Sequence, residues 1–398
     1  VTESKDYSVT ILDADGSIIC AHGLVDLHFG AVMHAVRATI ALHGDSIAPG
    51  DVFLANDPHS GGGLHPQDVV IQRPVHVDGR RVAWVALAAH MMDMGGMVPG
   101  SSAPAATECY QEALRLPPVR LIRQGEECAD IWAILRTNIR SSDLVEMDMR
   151  SLVIGGAVAE AKLVELVRDM GADAFLTAGQ ALVAGAEAVL RQRIALLEDG
   201  VYRATAWIEY GDDVLRMPCA MHVTGDRLRF DLTEAPPQVP HFFNSKPYIV
   251  RAMIAPRLRQ ILAPGLPFNQ SSLTVTEIDS TPGTLVDCTL PAPIAAAHTD
   301  ACMAVNTAAA QCLQLALLAS PRALHRDAVT APLLAAYGTG RWTYLDERGA
   351  RRVYTLIDGA FCGSPAAAGR DGIDIKSSLM PGGNQLEFAD VEMLEAAY

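Results

Sequence analysis

Apolar residues recur every three or four positions in several long segments of the chain. This period predicts a helix over residues 25–43 that ends near Gly44. The same period predicts helices over 128–140, 144–170, 172–198, 248–262 and 301–318. In the segment 172–198 the apolar stripe is regular and Gly200 follows it, so the helix is expected to stop before that glycine.

A different pattern, with apolar runs separated by Asp-Gly turns, predicts strands. Segments 9–12 and 17–20 flank the turn 13–16, and segments 68–77 and 81–90 flank Asp78-Gly79, so each pair is expected to form a hairpin. Residues 82–87 are apolar on both faces, which is typical of a central strand. Further strands are predicted over 201–210, 214–223 and 227–232, and a last hairpin is predicted to turn at Arg348-Gly349.

Mixed strands and helices predict an α+β fold class, with mixed sheets layered with helices and two subdomains. We place the boundary near Gly200, which gives an N-terminal region 1–199 and a C-terminal α+β region 200–398. Continuous packing across that boundary is the alternative.

Composition narrows the class of protein. The chain has 398 residues, 50% of them hydrophobic and 19% charged, which is typical of a packed globular protein. A net charge of −15 argues against a nucleic-acid partner. The chain contains no run of about 18 uninterrupted apolar residues, so no membrane span is predicted. Eight dispersed cysteines without a CxxC pair, and no signal peptide at the start, predict free thiols and a cytoplasmic location.

Histidine is concentrated near the start of the chain, where eight of the twelve lie within the first 90 residues. Three candidate ligands lie on the second predicted hairpin: His65, Asp68 and His90. A two-residue turn would pair Gln67 with His90, whereas a turn with a third, bulged residue would pair Asp68 with His90. Opposite Cβ atoms lie about 5 Å apart. Two imidazoles and one carboxylate form a common site for a divalent metal such as zinc or manganese, although polar residues at a strand end are often merely hydrogen-bonded.

Other polar residues lie near this hairpin in the sequence. Asp57 and His59 are reserve ligands, and Asp93 is a candidate fourth ligand, ligand partner or proton carrier. Gly61, Gly62 and Gly63 would let the backbone approach a ligand closely, or form a flexible turn. The chain contains no GxxxxGK[ST], no GxGxxG and no GxSxG motif. If the activity uses ATP, we therefore expect another chain to bind it.

Several segments resemble the hydantoinase B/oxoprolinase family. They are Asn56-Asp57-Pro58, His65-Pro66-Gln67-Asp68, Arg73-Pro74-Val75, the run AHMMDMGGMVPGS over 89–101, and TECYQE over 107–112 followed by LRLPPV. The resemblance covers nearly all 398 residues and is strongest over 56–119.

The resemblance implies a function shared between two subunits. In this family an A-type partner binds ATP and phosphorylates a cyclic amide or a ketone enol, and the B-type chain completes the chemistry. Members include N-methylhydantoinase, 5-oxoprolinase and lactamases. In the related acetone and acetophenone carboxylases, the B-like subunit holds a divalent metal through His, Asp and His. By resemblance these ligands are His65, Asp68 and His90, in agreement with the hairpin pairing, so 1–199 is the expected metal-binding and catalytic region.

Three functions follow as hypotheses. The first is an ATP-dependent amidohydrolase subunit that opens a hydantoin, oxoproline or lactam, in which Asp93 would accept a proton and Glu108 would orient the small-molecule substrate. A capping role is the alternative for Glu108. The second is a subunit of a ketone carboxylase, which would depend on bicarbonate. The third is a non-catalytic scaffold subunit. By resemblance, a small additional subunit could supply terminal family segments that lie outside these 398 residues.

Overall fold

Two sheets with helices packed against them form the fold. The computed structural model describes residues 6–23, 25–330, 338–349, 351–358, 366–367 and 369–372. In this part of the chain the strands are β1 (Tyr7–Asp13), β2 (Ile18–Gly23), β3 (Val52–Ala55), β4 (Asp68–Val77), β5 (Arg80–His90), β6 (Val119–Arg123), β7 (Glu126–Glu127), β8 (Gly200–Tyr210), β9 (Asp213–Thr224), β10 (Arg227–Asp231), β11 (Thr276–Asp279), β12 (Gly338–Leu345) and β13 (Arg351–Asp358). The helices are α1 (Leu27–His43), α2 (Ala129–Asn138), α3 (Ser142–Met170), α4 (Ala172–Ile194), α5 (Pro247–Leu262), α6 (Gln270–Thr274), α7 (Asp300–Ala319) and α8 (Ala323–Asp327).

The larger sheet has seven strands in the order β2-β1-β5-β4-β3-β6-β7. Its three predicted features are confirmed: the hairpins β1–β2 and β4–β5 are antiparallel, and β5 lies inside the sheet. Residues of β5 alternate between two cores, since Trp84 and Ala86 pack with α1 on one face whereas Val85 and Leu87 pack with α3 on the other. Both faces are therefore covered, which explains the continuous apolar run.

The β4–β5 register pairs Asp68 with His90, as one of the two predicted alternatives required. The predicted cause is wrong, however. The turn contains only Asp78 and Gly79, because Val77 pairs with Arg80. The extra residue is Val82, which lies inside β5 where the register shifts. This bulge shifts the β4–β5 register by one residue toward the open end of the hairpin, so the Asp68 carboxylate lies opposite the His90 imidazole.

The smaller sheet has the order β11-β10-β9-β8, and α7 packs against β8 and β9. By length and composition alone α7 would be long enough and apolar enough to cross a membrane, but most of it is buried inside the protein, which makes it weak evidence for a span. The hydrophobic core around this sheet also contains Leu27 of α1 and Ile194 of α4. The core around the smaller sheet therefore contains residues from both sides of position 200. The division into 1–199 and 200–398 stays a prediction.

Smaller expectations have mixed outcomes. The last hairpin is confirmed by the antiparallel pairing of β12 with β13. The seven cysteines that the structure describes are all free, five of them buried, while Cys362 lies outside the described residues. Pattern reasoning missed β3, β6 and α6 because each has only four or five residues. Such elements are too short to show a period.

Candidate metal centre

Three ligand atoms converge at the start of β4 and the end of β5. His65 Nε2 lies 3.1 Å from Asp68 Oδ1, His90 Nδ1 lies 3.0 Å from the same oxygen, and the two nitrogens are 3.3 Å apart. His65 and Asp68 are buried, and His90 is partly exposed. The structure thus brings together the three residues predicted as metal ligands.

The spacing of these atoms fits a shared divalent ion. Ligands bound at about 2.1 Å lie about 3.0 Å apart in an octahedral site and about 3.4 Å apart in a tetrahedral one. The three observed distances, 3.0, 3.1 and 3.3 Å, fall in this range. A single proton bridges one pair of these atoms, whereas a divalent ion bonds to all three. The donor set of two imidazole nitrogens and one carboxylate oxygen suits zinc or manganese.

Hydrogen bonds fix the ring orientation of His65. Its Nδ1 lies 2.9 Å from the backbone oxygen of Ala295 and also contacts Gln67 Oε1. Both partners are acceptors, so we assign the proton to Nδ1, which leaves the lone pair of Nε2 facing Asp68 and His90. Metal-binding histidines commonly donate their second N–H to a carbonyl in this way.

A fourth residue, His28 on α1, holds the other side of Asp68. Its Nε2 lies 3.1 Å from Asp68 Oδ2, close enough for an ion pair although the ring is not aligned for a hydrogen bond, and its Nδ1 lies 3.1 Å from Ser8 Oγ. Burial opposes the charge on both groups, yet the neighbouring histidines hold the pKa of Asp68 well below its usual range, and Asp68 raises the pKa of His28. Asp68 is thus an ionised carboxylate held from several sides.

His298 was missed by sequence reasoning. It lies two residues before α7, and its ring centroid is 4.3 Å from that of His65. Its Nδ1 is buried and has no hydrogen-bond partner among the described residues. Burial lowers the pKa of His298 well below the usual range. An isolated histidine more than 200 residues from the cluster carries no spacing signal, and only the fold reveals it.

The glycine-rich loop brings His65 to its position. Gly63 has φ of +67°, and a Cβ there would lie 2.8 Å from the backbone oxygen of Asp68 and 2.9 Å from that of Asn56. A side chain at this position is therefore excluded both by strain and by space. The Asn56 side chain donates to Pro66 O at 2.7 Å and accepts from Leu116 N at 2.7 Å, which joins the loop to the end of β3 and to the segment that precedes β6.

Asp93 is held by hydrogen-bond donors from the 91–101 loop and from Arg140. Its side chain is fully buried. It accepts hydrogen bonds from the N–H groups of Gly95 and Gly100 at 2.8 Å, from Arg140 N at 3.1 Å and from the Arg140 guanidinium at 3.3 Å. Four donors occupy its lone pairs, so these contacts favour a carboxylate that organises the 91–101 loop. The predicted proton-accepting role stays a prediction.

Glu108 makes the contacts of the capping alternative. It is exposed and begins the short 3-10 turn Cys109–Gln111. Its side chain accepts from the backbone of Gln111, whose side chain in turn accepts from Glu108 N at 3.0 Å. The predicted substrate-orienting role stays a prediction.

The two reserve ligands are engaged elsewhere. Asp57 forms a two-pronged ion pair with Arg115 at 3.0 and 2.8 Å, which lowers the pKa of the carboxyl against the effect of burial. His59 Nε2 lies 2.9 Å from Ala292 O, and burial lowers the pKa of this histidine to about 4. Within the described part of the chain, the cluster that could hold a metal comprises His65, Asp68 and His90 alone.

The layered α+β fold and this His-Asp-His cluster are accompanied by a clear family match. The hydantoinase B/oxoprolinase family model matches residues 1–398, so the chain belongs to that family, and the resemblance in its sequence motifs is confirmed.

Some of its relatives are named as enzyme subunits. Caprolactamase subunit beta of Pseudomonas jessenii is 32% identical over 294 residues, which cover 73% of this chain and 50% of that protein. The acetophenone carboxylase delta subunit of Aromatoleum aromaticum is 28% identical over 275 residues, which cover 67% of this chain and 40% of that protein. The crystal structure of ATP-dependent caprolactamase from P. jessenii matches with a TM-score of 0.87 and 27% identity, over 99% of this chain and 67% of that chain. The chain thus spans about half the length of the caprolactamase beta subunit.

Proposed function

We propose that this chain is the B-type part of an ATP-dependent enzyme that opens a cyclic amide, and that His65, Asp68 and His90 hold a divalent zinc or manganese ion. The observation that carries the proposal is the convergence of three ligand atoms within 3.0 to 3.3 Å of one another. The likeness to caprolactamase favours a lactam or a related ring as substrate. We assign ATP binding to an A-type partner subunit in the cytoplasm, since this chain carries no nucleotide-binding motif.

The ion would supply Lewis-acid assistance when water attacks the ring carbon that the partner has activated by phosphorylation. Asp68 would balance the positive charge, and the bond from His65 Nδ1 to Ala295 O keeps Nε2 pointed at the shared position. The unpartnered Nδ1 of His298 is available to hydrogen-bond a bound molecule. We assign Asp93 to positioning the 91–101 loop, and Glu108 to capping the turn that precedes Glu112.

A ketone carboxylase is the second candidate, favoured by the likeness to the acetophenone carboxylase delta subunit. Bicarbonate dependence separates the two reactions, because hydrolysis of a cyclic amide consumes water and no bicarbonate. The scaffold hypothesis predicts instead that the cluster is dispensable.

We expect the chain, assembled with an A-type subunit from the same source, to open lactam, hydantoin or oxoproline rings in an ATP-dependent and bicarbonate-independent reaction. The measurement is product formation with and without each co-substrate, across a panel of these rings and simple ketones. Ketone conversion that requires bicarbonate would establish the carboxylase instead. Full activity after replacing all three cluster residues by alanine would establish a scaffold.

His28→Leu is expected to weaken metal affinity by about 10–100-fold, because it removes the group that fixes Asp68 Oδ2, and partners of ligands commonly contribute this much. The measurement is the dissociation constant for zinc by competition with a chelator. His43→Leu is the matched control on the same helix, since His43 Nε2 bonds Pro118 O at 2.9 Å, outside the cluster. Equal zinc affinity in the His28 variant and the wild type would count against the assignment.

A further inference from the structure

A buried carboxyl group links two distant segments of the chain beside the candidate metal centre. The side chain of Glu112 is fully buried, and its oxygens accept from two consecutive backbone N–H groups: Ile294 N at 2.6 Å and Ala295 N at 2.8 Å. These consecutive N–H groups form a concave arrangement of donors, which the two oxygens of the Glu112 carboxyl group fill. Burial raises the pKa of Glu112 to about 8, against the two hydrogen bonds that lower it.

The segment that Glu112 holds is the one that orients His65. Ala295 receives the Glu112 hydrogen bond on its N–H and uses its C=O to accept from His65 Nδ1 at 2.9 Å. On the far side, Ala296 N donates to Phe242 O at 2.8 Å. The Ala295 carbonyl therefore has fixed peptide groups on both sides. His298, whose ring packs on that of His65, follows three residues later in the same segment.

We propose that Glu112 is a positioning residue of the metal centre. By holding the N–H groups of Ile294 and Ala295, it aims the Ala295 carbonyl at His65 Nδ1, which presents Nε2 to Asp68 and His90. Its effect on the metal rests on the proposed function, whereas its effect on the His65 ring does not.

Gln67 is the competing explanation, because its Oε1 also contacts His65 Nδ1. Gln67 is itself held by Ser101 O, to which its amide nitrogen donates at 2.8 Å. If Gln67 alone fixed the ring, the Ala295 carbonyl and Glu112 would be dispensable for His65. Replacing each residue in turn separates the two explanations.

The test is nuclear magnetic resonance of the full chain with ¹⁵N-labelled histidine, metal-free and with zinc added. The His65 Nδ1–H signal is assigned by its absence in a His65→Asn variant. In Glu112→Gln an amide N–H₂ faces one of the two backbone N–H groups in place of an acceptor, so the segment shifts. We expect loss or a large shift of the His65 signal and an increase of about 10–100-fold in the zinc dissociation constant.

Two further variants complete the test. Glu165→Gln, at an exposed position on α3, is the control and should change neither readout. Gln67→Met should keep the protected Nδ1–H signal, because Ala295 O remains as acceptor; this variant decides the question if Glu112→Gln does not fold. The proposal is overturned by a folded Glu112→Gln protein with an unchanged His65 signal, or by loss of that signal in folded Gln67→Met. A changed His65 signal in a chain that binds no zinc would support the positioning role while refuting the metal proposal.

Discussion

Replacing Asp68 by asparagine is expected to abolish metal binding at stoichiometric concentrations and to lower turnover of the assembled enzyme by about 10²–10⁴-fold. Asp68 Oδ1 is the atom that both His65 Nε2 and His90 Nδ1 approach, at 3.1 and 3.0 Å. Asparagine preserves the shape of the side chain but removes the negative charge that balances a divalent ion. Lewis-acid assistance is worth several kcal/mol, and each 1.36 kcal/mol is a factor of ten in rate. The measurements are zinc affinity and ATP-dependent product formation.

Asp51→Asn is the matched control for this substitution. Asp51 is as buried as Asp68, with both residues about 1% exposed, but it forms an ion pair with Arg120 at 3.1 Å. We expect this variant to be less stable and to bind zinc with wild-type affinity. Retained zinc affinity in Asp68→Asn, or an equal loss in both variants, would contradict the role assigned to Asp68.

Replacing Asp93 by alanine is expected to lower the free energy of unfolding by about 3–5 kcal/mol, because several backbone N–H groups lose their buried acceptor and each one left unsatisfied costs about 1–3 kcal/mol. The substitution leaves the N–H groups of Gly95, Gly100 and Arg140 without their acceptor, and leaves the Arg140 guanidinium without its carboxylate. The loss is a large part of the total stability of a typical domain. The measurement is urea denaturation followed by circular dichroism.

Asp173→Ala provides the comparison for Asp93. Asp173 is 91% exposed and pairs with Arg80 at 2.8 Å on the surface, so its removal should change the free energy of unfolding by no more than about 0.5 kcal/mol. If Asp93→Ala is as stable as the wild type yet has lost turnover, Asp93 acts in the chemistry and its role in the loop is wrong.

Local spacing was sufficient to predict the hairpin and its three polar residues. His65 and Asp68 are three residues apart, and Asp68 and His90 lie at the open end of the same β-hairpin. Counting residues from the turn therefore places the three side chains together. The count nevertheless attributed the register to the turn, whereas the structure places the extra residue at Val82 inside β5. A bulge within a uniformly apolar strand leaves no mark in the sequence.

The remaining parts of the site depend on contacts between distant segments. His65 and Ala295 are 230 positions apart, and the link between them is a backbone carbonyl, which no side-chain pattern can indicate. Glu112 reaches the same segment through two backbone N–H groups. Asp93 and Glu108 show a different difficulty. A carboxylate close to a site in the sequence can be hydrogen-bonded to neighbouring backbone N–H groups, which the sequence does not indicate. Only the folded chain distinguishes a free carboxylate from one that organises a loop or caps a turn.

The most direct test of the metal centre is the metal content of the purified full chain after dialysis against zinc or manganese, measured by elemental mass spectrometry. We expect about one equivalent per chain in the wild type and none in His90→Ala. No retained metal in the wild type after reconstitution, or an equal amount in His90→Ala, would contradict metal binding by His65, Asp68 and His90.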